Sequence, residues 1–521
     1  MSSNNRNCIQ KWLGGPPWVI NILLSETCER FSWYGLRSIL TLYCVERLKW
    51  AENSAISLFL YSSGMAYSMA LIGGYVADTY WGKYKTIIRF SILYCVGSLL
   101  LSLTSIFSSV GGCLLALFII AIGTGGIKPN VSSFGADQYH QDDKQDITRY
   151  FMAFYFCINT GSVASYIITP LLKRYFDYFV AFLVPCILLL LATYLFWRAR
   201  KEYVNTPLSG SPINRVMRII ATARAVSAGT LPRQEQVEYG NDVDFGEVHW
   251  LTCAAGHPGC DRDAIVEAIA VARIGVVFTC LPSFWMLYDQ QGSAWTLQAN
   301  KMDGHGILEP EQMGIVNPVL VLAMIPLFNN WIYPLVSKGG MYKISSLAKM
   351  RVGMFVAAAA FLISAFVQYI IDSSEAPNSV SILWQLPQYV VLSVSEILVS
   401  IAGLEFAYEN APETMKSTIM SLFLLTTAVG DFAGGFLYNV LKNIDPTMIY
   451  LIFAGLMVLN AVAFARLSKT FVPYVPNAGN GGSLLENDSA SHMSSADGKT
   501  PLLIPNSNTA ATDANGSILF S

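Results

Sequence analysis

ETCERFSWYG, residues 26–35, is the stretch on which the reading of this chain turns. It sits inside an apolar run from about Trp18 to Cys44, long enough to cross a bilayer at ~20 residues per span. The run nevertheless carries Glu26, Glu29, Arg30 and Arg37. On a helix the first three stand at i, i+3 and i+4, so they share one face and touch. Each charge at membrane depth costs ~2.5–3.5 kcal/mol on insertion scales, so four in one span need partners and a task. A self-neutralising cluster that only staples neighbouring helices is one such task. A proton and substrate site facing a water-filled cavity is the other, and the rest of the chain favours it.

Composition sets the class. Of 521 residues, 53% are hydrophobic and 13% charged, with a mean hydropathy of +0.44, whereas a soluble domain has about a quarter of its residues charged. This reads as a polytopic membrane protein rather than a soluble amphipathic one. The near-neutral balance of 33 basic and 35 acidic residues points to no nucleic-acid partner. The ten cysteines lie mostly in apolar runs without a secreted framework spacing, so reduced thiols are expected. Residues 1–17 are polar, and the first apolar run is too long and too charged for a cleavable leader.

About twelve apolar spans of ~20 residues or more follow one another. Six run near 18–44, 54–79, 84–108, 112–137, 146–172 and 177–199. Six more run near 266–289, 312–337, 346–371, 380–409, 414–441 and 447–468. The expected fold is an all-α membrane protein, and the six-plus-six spacing resembles a major facilitator transporter with its site between two bundles. Residues 1–17 would form an N-terminal segment, 18–199 the first bundle, 200–265 a linker, 266–470 the second bundle and 471–521 a disordered tail. Lys and Arg gather in the segments that share a side with both termini, so both termini are expected in the cytoplasm.

In the linker, Ile213, Val216, Met217 and Ile220 follow helical spacing with Arg215 and Arg218 opposite, which predicts an amphipathic helix along the inner membrane surface, acting as a tether. His249, Cys253, His257 and Cys260 fall at intervals that could gather a zinc ion, but H-x3-C-x3-H-x2-C matches no standard finger, so no metal site is expected.

Four more constellations lie on the spans. GGYVADTYWGKYKT, residues 73–86, resembles the signature loop between the second and third spans of major facilitators. GTGGIKPN, residues 123–130, lacks the GK[ST] ending of a phosphate loop and instead puts Lys128 in the membrane. FYFCINTGS, residues 154–162, carries Asn159 at mid-span, and the tenth span carries Glu396 and, lower down, Glu405. With Arg273 and Asp289 the charged residues fall in both halves. An intramembrane carboxylate near a cation is a natural proton carrier. His140, His249, His257, His305 and His492 all lie outside the spans, so proton coupling would run on carboxylates.

Together, ExxERFSWYG, GxKPNVSxFGxDQ, FYFxINTGS, FWMLYDQQGSAWTLQA and GLEFAYENAPETMKS resemble the proton-coupled oligopeptide transporter family, in its animal-type di- and tripeptide carriers. The resemblance covers roughly residues 18–470. It implies proton-driven symport of short peptides by alternating access, without a cofactor beyond the proton and as a monomer in the lipid bilayer. It assigns Glu26, Glu29 and Arg30 to proton handling. It assigns Arg37 and Lys128 to the peptide carboxylate, and Glu396 with Asn159 and Asn317 to the peptide amine. Tyr34, Tyr67 and Trp285 would line the pocket. Lys128 and Glu396 would form an inter-bundle salt bridge, with Glu396 also sharing in proton coupling. A cation on one wall and a carboxylate on the other would measure the peptide backbone without reading its side chains.

The chain departs from patterns of the family in four ways. Leu60 stands where animal members often carry a histidine, and the extracellular domain between spans nine and ten is missing. Asn329 stands where those carriers have an aspartate facing the seventh-span arginine, here Arg273, in a gate that helps to close the outer side. No histidine occupies the seventh-span position used by plant nitrate relatives. Competing readings are a related symporter for amino acids, histidine or nitrate, and a non-transporting sensor. The plasma membrane is the expected location, with an endosomal or lysosomal membrane as the alternative left open by SLLEN and TPLLIP in the tail.

Overall fold

The computed structural model describes residues 14–140, 144–205, 212–232, 250–336 and 344–471, together with Tyr474–Val475 and Ser483–Leu484. The first half consists of α1 (Val19–Glu46), α2 (Glu52–Val76), α3 (Lys83–Ile106), α4 (Val110–Ala136), α5 (Lys144–Tyr175) and α6 (Tyr178–Arg198). A linker helix, α7 (Pro212–Ser227), precedes the second half. That half begins with one span broken into α8 (Arg262–Phe278), α9 (Leu281–Tyr288) and α10 (Ala294–Asn300). It continues through α11 (Val316–Leu327), α12 (Tyr333–Val336), α13 (Ser346–Asp372), α14 (Leu386–Glu396), α15 (Ala402–Asn410), α16 (Lys416–Val440) and α17 (Pro446–Leu467). In the tail, Tyr474–Val475 pairs antiparallel with Ser483–Leu484.

Among the described residues, 10 helices are long and apolar enough to cross a membrane, or up to 11 when the bent α8–α10 span is included. The 28-residue α1 is long enough, but its charges exclude it from that count. Adding it restores the dozen read from the sequence. The α8–α10 span bends by 47°, with Pro282 at the start of α9 and a 3-10 turn, Asp289–Gly292, after it. Proline lacks the backbone donor that a continuous helix needs, so the break falls where the sequence cannot sustain one. Single π-helical turns interrupt two further spans, at Phe328–Ile332 and Ile397–Ile401, and a third, Ala77–Trp81, ends the span of α2.

Helix crossings in lipid depend on small residues that let backbones approach. A Cβ on Gly73 of α2 would stand 2.5 Å from Gly126 Cα and 2.7 Å from Gly125 O on α4. Pro129 removes a hydrogen bond from α4 just there, and Asn130 Nδ2 donates to Gly126 O at 2.8 Å and to Gly73 O at 3.3 Å. The side chain thus ties the loosened turn to its neighbour. Gly73→Val is expected to cost about 1–3 kcal/mol or more by overpacking, read as a lower thermal midpoint in detergent. Gly74→Val, where the nearest neighbour is Pro129 at 3.9 Å, should leave the midpoint nearly unchanged.

The linker helix corrects an expectation. Its apolar stripe is Val216, Ile219 and Ala223, with Met217 exposed, and it packs on Leu251, Ala254, Ile265 and Ile269. Protein, not lipid, covers that face. Arg215 also reaches Glu267 of α8 at 3.6 Å. His249 lies outside the described residues, and among the described residues no group of three or more His, Cys, Asp or Glu is placed to hold a metal.

Candidate functional site

The two halves enclose a cavity of about 1060 Å³. From the first half it is lined by Tyr34 and Arg37 of α1, Tyr67 of α2, and Asn159 and Tyr166 of α5. From the second half come Trp285 and Tyr288 of α9, Asn317 of α11 and Glu396 of α14. Every residue expected to line a pocket is therefore there except Lys128.

One wall presents a cation already paired with a carboxylate, the other a carboxylate held by neutral donors. On one, Arg37 Nη2 meets Asp289 Oδ1 at 2.9 Å, with its guanidinium 4.7 Å from the Phe59 ring centroid. On the other, Asn317 Nδ2 donates to Glu396 Oε2 at 2.8 Å and Tyr288 OH donates to Glu396 Oε1 at 3.0 Å. Asn317 Nδ2 also reaches Ser393 Oγ at 3.1 Å, and Trp285 Nε1 donates to Thr426 Oγ1 at 3.1 Å. These bonds fix Glu396 by neutral donors and leave its charge available for a ligand cation. The π turn that follows Glu396 at once is a feature found often at functional sites. Asn159 faces the same cavity from α5, its amide nitrogen bonded to Tyr155 O at 2.9 Å.

The triplet read from ETCERFSWYG folds as its spacing dictates. Arg30 Nε lies 3.0 Å from Glu26 Oε1, and the same guanidinium pairs with Glu29. All three are buried, at 4%, 3% and 4% exposure for Glu26, Glu29 and Arg30, so their charges are compensated by one another rather than by water. Thr124 Oγ1 of α4 donates to Glu29 Oε1 at 3.0 Å. A smaller space of about 320 Å³ touches both glutamates and is edged by Ser25, Ser91 and Thr193.

Two expected contacts are not made. Lys128 Nζ has no hydrogen-bond partner among the described residues and rests over the rings of Trp33 and Tyr67, at 4.0 and 4.2 Å. It stands behind Tyr67 rather than opposite Glu396, so the Lys128–Glu396 bridge is absent in this conformation. Its charge is held by aromatic faces. The gate expected of Arg273 and Asn329 is not formed either. Arg273 is half-buried with no hydrogen-bond partner for Nη1 among the described residues, and Asn329 is exposed in a π turn. Both also lie toward the linker end of their spans, α8 entering from the linker and Asn329 leaving toward α12. They cannot close the opposite end.

That opposite end, the far side, is closed by other residues. Lys173 Nζ of α5 meets Glu311 Oε1 at 2.7 Å, Arg174 meets Glu309 at 2.8 Å and Lys301 meets Glu52 at 2.9 Å. Ser57 Oγ donates to Gly435 O at 3.0 Å and Thr41 Oγ1 to Gly292 O at 3.1 Å. Each of these bonds joins the first half to the second. Arg47 pairs with Asp177 at the same end; partial burial works against the Asp177 charge, but that hydrogen bond and the Tyr178 N–H hold its carboxyl below the usual range. Sequence reading missed Tyr288, Thr124, Lys173 and Glu311 as site or closure residues. Only Tyr288 had a signal, three residues beyond Trp285 on one helical face.

Residues 84–454 match the protein family described as the POT family. Solute carrier family 15 member 2 of Mus musculus is 39% identical over 405 residues, covering 74% of this chain and 54% of the relative. Solute carrier family 15 member 1 of Homo sapiens is 35% identical over 389 residues, covering 70% of this chain and 53% of the relative. The chain thus spans about half the length of these curated relatives. Among solved structures, the in meso crystal structure of the POT family transporter PepTSo has a TM-score of 0.76 at 32% identity, covering 88% of this chain and 98% of that one. A crystal structure described as an auto inhibited POT family peptide transporter has a TM-score of 0.75 at 29% identity, covering 88% and 97%.

Proposed function

The chain belongs to the POT family, and from that premise we propose that it is a proton-coupled symporter importing di- and tripeptides by alternating access. The single observation that carries this reading is the cavity with Arg37 on one wall and the Glu396–Asn317–Tyr288 cluster on the other. A zwitterionic peptide has a carboxylate at one end and an amine at the other, at a separation that side chains do not alter. Arg37 would take the carboxylate and Glu396 the amine, with Asn159 and Asn317 completing the amine's hydrogen bonds. Tyr34, Tyr67, Tyr166 and Trp285 supply a wall that tolerates varied side chains.

Glu26 and Glu29 are the proton carriers in this reading. Each is paired with Arg30 and touches the small hydroxyl-edged space, which gives a proton a path to the triplet. Lys128, buried behind Tyr67 without a hydrogen-bond partner, adds a second cation to the same region and would turn to Glu396 when the halves tilt the other way. The moving bodies would be residues 18–199 and 266–470, with α7 as tether. With the linker in the cytoplasm, the closed far side is the outside, and the conformation faces inward. The proton is the only coupling ion proposed, the monomer the working unit, and the plasma membrane the location.

Uptake of a labelled dipeptide into proteoliposomes under an imposed proton gradient tests the reading. Accumulation above equilibrium is the expected result. No peptide accumulation, with an amino acid, histidine or nitrate concentrated instead, would replace it.

A further inference from the structure

We propose that Asp289 and Asp431 form a second proton-binding site, holding one shared proton while the far side is closed. The proposal does not depend on which solute is carried. Asp431 lies on α16 and is fully buried; Asp289 opens the 3-10 turn after α9 and is 5% exposed. The two carboxyls lie against each other, with Ser63 beside them. Arg37 Nη2 occupies Asp289 Oδ1 at 2.9 Å, and the single hydroxyl hydrogen of Ser63 goes to Asp289 Oδ2 at 3.2 Å. Ser63 is also within reach of Asp431, but its one hydrogen is committed to Asp289, which leaves both oxygens of Asp431 without a donor among the described residues.

Among the described residues Arg37 is the cation in direct contact with the pair; Lys128 acts on Asp289 only from behind the Tyr67 ring. Facing the pair are Arg37 from α1 and Ser63 and Tyr67 from α2, with Tyr166, Tyr288 and Glu396 acting on Asp289 from across the cavity. No histidine lies on any of these elements, and Leu60 and Gly64 pack the α2 side against α16, with Gly64 placing a would-be Cβ 3.1 Å from Asp431 Cβ. One guanidinium therefore touches the pair, and the Lys128 ammonium makes no contact with either carboxyl. If both were ionised, the pair, with Asp289 at the edge of the central cavity and Asp431 fully buried behind it, would keep a carboxylate in contact with no cation and no donor, the arrangement buried sites avoid. A proton on Asp431 removes both faults, because its hydroxyl then donates to Asp289.

The position also says when the proton binds. Asp289 and Asp431 both belong to the second half, whereas Arg37 and Ser63 belong to the first. When the halves part on the far side, water reaches the pair and both carboxyls ionise, releasing one proton to that side. When the halves close, the pair takes one proton back from the same water. Closure thus consumes one proton, so the closed-to-open ratio should rise as pH falls, by up to about tenfold per pH unit between the two apparent titrations of the pair.

The test uses the full chain in lipid nanodiscs, with spin labels on the far-side turns after α3 and α13, measured at acid and neutral pH. Wild type should shift toward the closed distances on acidification, and Asp431→Asn, whose amide can donate permanently to Asp289, should lose about one proton's worth of that slope and stay closed. An unchanged slope in Asp431→Asn would overturn the proposal. Infrared spectra separate this site from Glu26, Glu29 and Glu396. With carboxyl-labelled aspartate, the protonated-acid carbonyl band of closed wild type should shift. It should vanish in Asp431→Asn and survive in Glu396→Gln. A band indifferent to aspartate labelling also overturns the proposal, and this arm stands on wild type alone if Asp431→Asn fails to fold.

Discussion

Glu26→Gln and Glu29→Gln are each expected to abolish proton-driven accumulation while leaving peptide exchange intact. One proton crossing 100 mV supplies ~2.3 kcal/mol, and a one-unit pH difference adds ~1.4 kcal/mol. Together these would concentrate a neutral dipeptide by a few hundredfold at most. An amide keeps the shape of the carboxylate and its bond to Arg30 or Thr124, but it carries no proton between the two sides. The accumulation ratio should therefore fall to about one, a loss of two orders of magnitude or more. Counterflow, which needs the pocket but not the gradient, should continue. Loss of counterflow together with accumulation would mean that the triplet only holds α1 to α4.

Glu396→Ala should discriminate between ligands by their amine. The carboxylate is held by the Asn317 amide and the Tyr288 hydroxyl at 2.8 and 3.0 Å, and no cation pairs with it among the described residues. A peptide amine would make the first charged contact there. Removing one member of such a pair costs ~2–5 kcal/mol, so affinity for free dipeptides should drop by about thirtyfold or more. N-acetylated dipeptides, which have no cationic amine, should lose little. Competition assays with both ligand types check this, and equal losses would remove Glu396 from the amine site.

Local spacing was legible in the sequence wherever one helix holds the whole argument. Glu26, Glu29 and Arg30 pair because three and four residues bring side chains onto one face, and that pairing needs no knowledge of the fold. The break between Phe278 and Leu281 was not read, since 266–289 was taken as one span, although Pro282 beside it supplies the physical reason. Contacts between distant elements were not legible. Lys128 falls inside the apolar helix α4, but nothing in GTGGIKPN says that Trp33 and Tyr67 will cover its ammonium. Lys173 and Glu311 are separated by 138 positions, and each reads alone as a charge at a span end. Arg273 and Asn329 failed for another reason. Their pairing came from resemblance alone, and counting residues from the linker shows that both sit at the wrong end to close the far side. The α7 stripe slipped because Met217 and Ile219 are equally apolar, and only the packing partner decides which one turns inward.

The ion pairs of the far side reach into solvent. Lys301 and Glu52 are 39% and 41% exposed at the side chain, and Arg174 is 39% exposed against Glu309. Such pairs contribute ~0.2–1 kcal/mol each in dilute buffer, and mobile ions shrink their range from ~30 Å at 0.01 M to ~8 Å at 0.15 M. The Arg37–Asp289 pair lies deeper, out of reach of those ions. The ionic strength of the medium bathing the far side is thus a control variable in its own right: brine loosens the rim of the closure and leaves its root intact, so a cell in fresh water and one in saline would hold the same transporter at different resting positions.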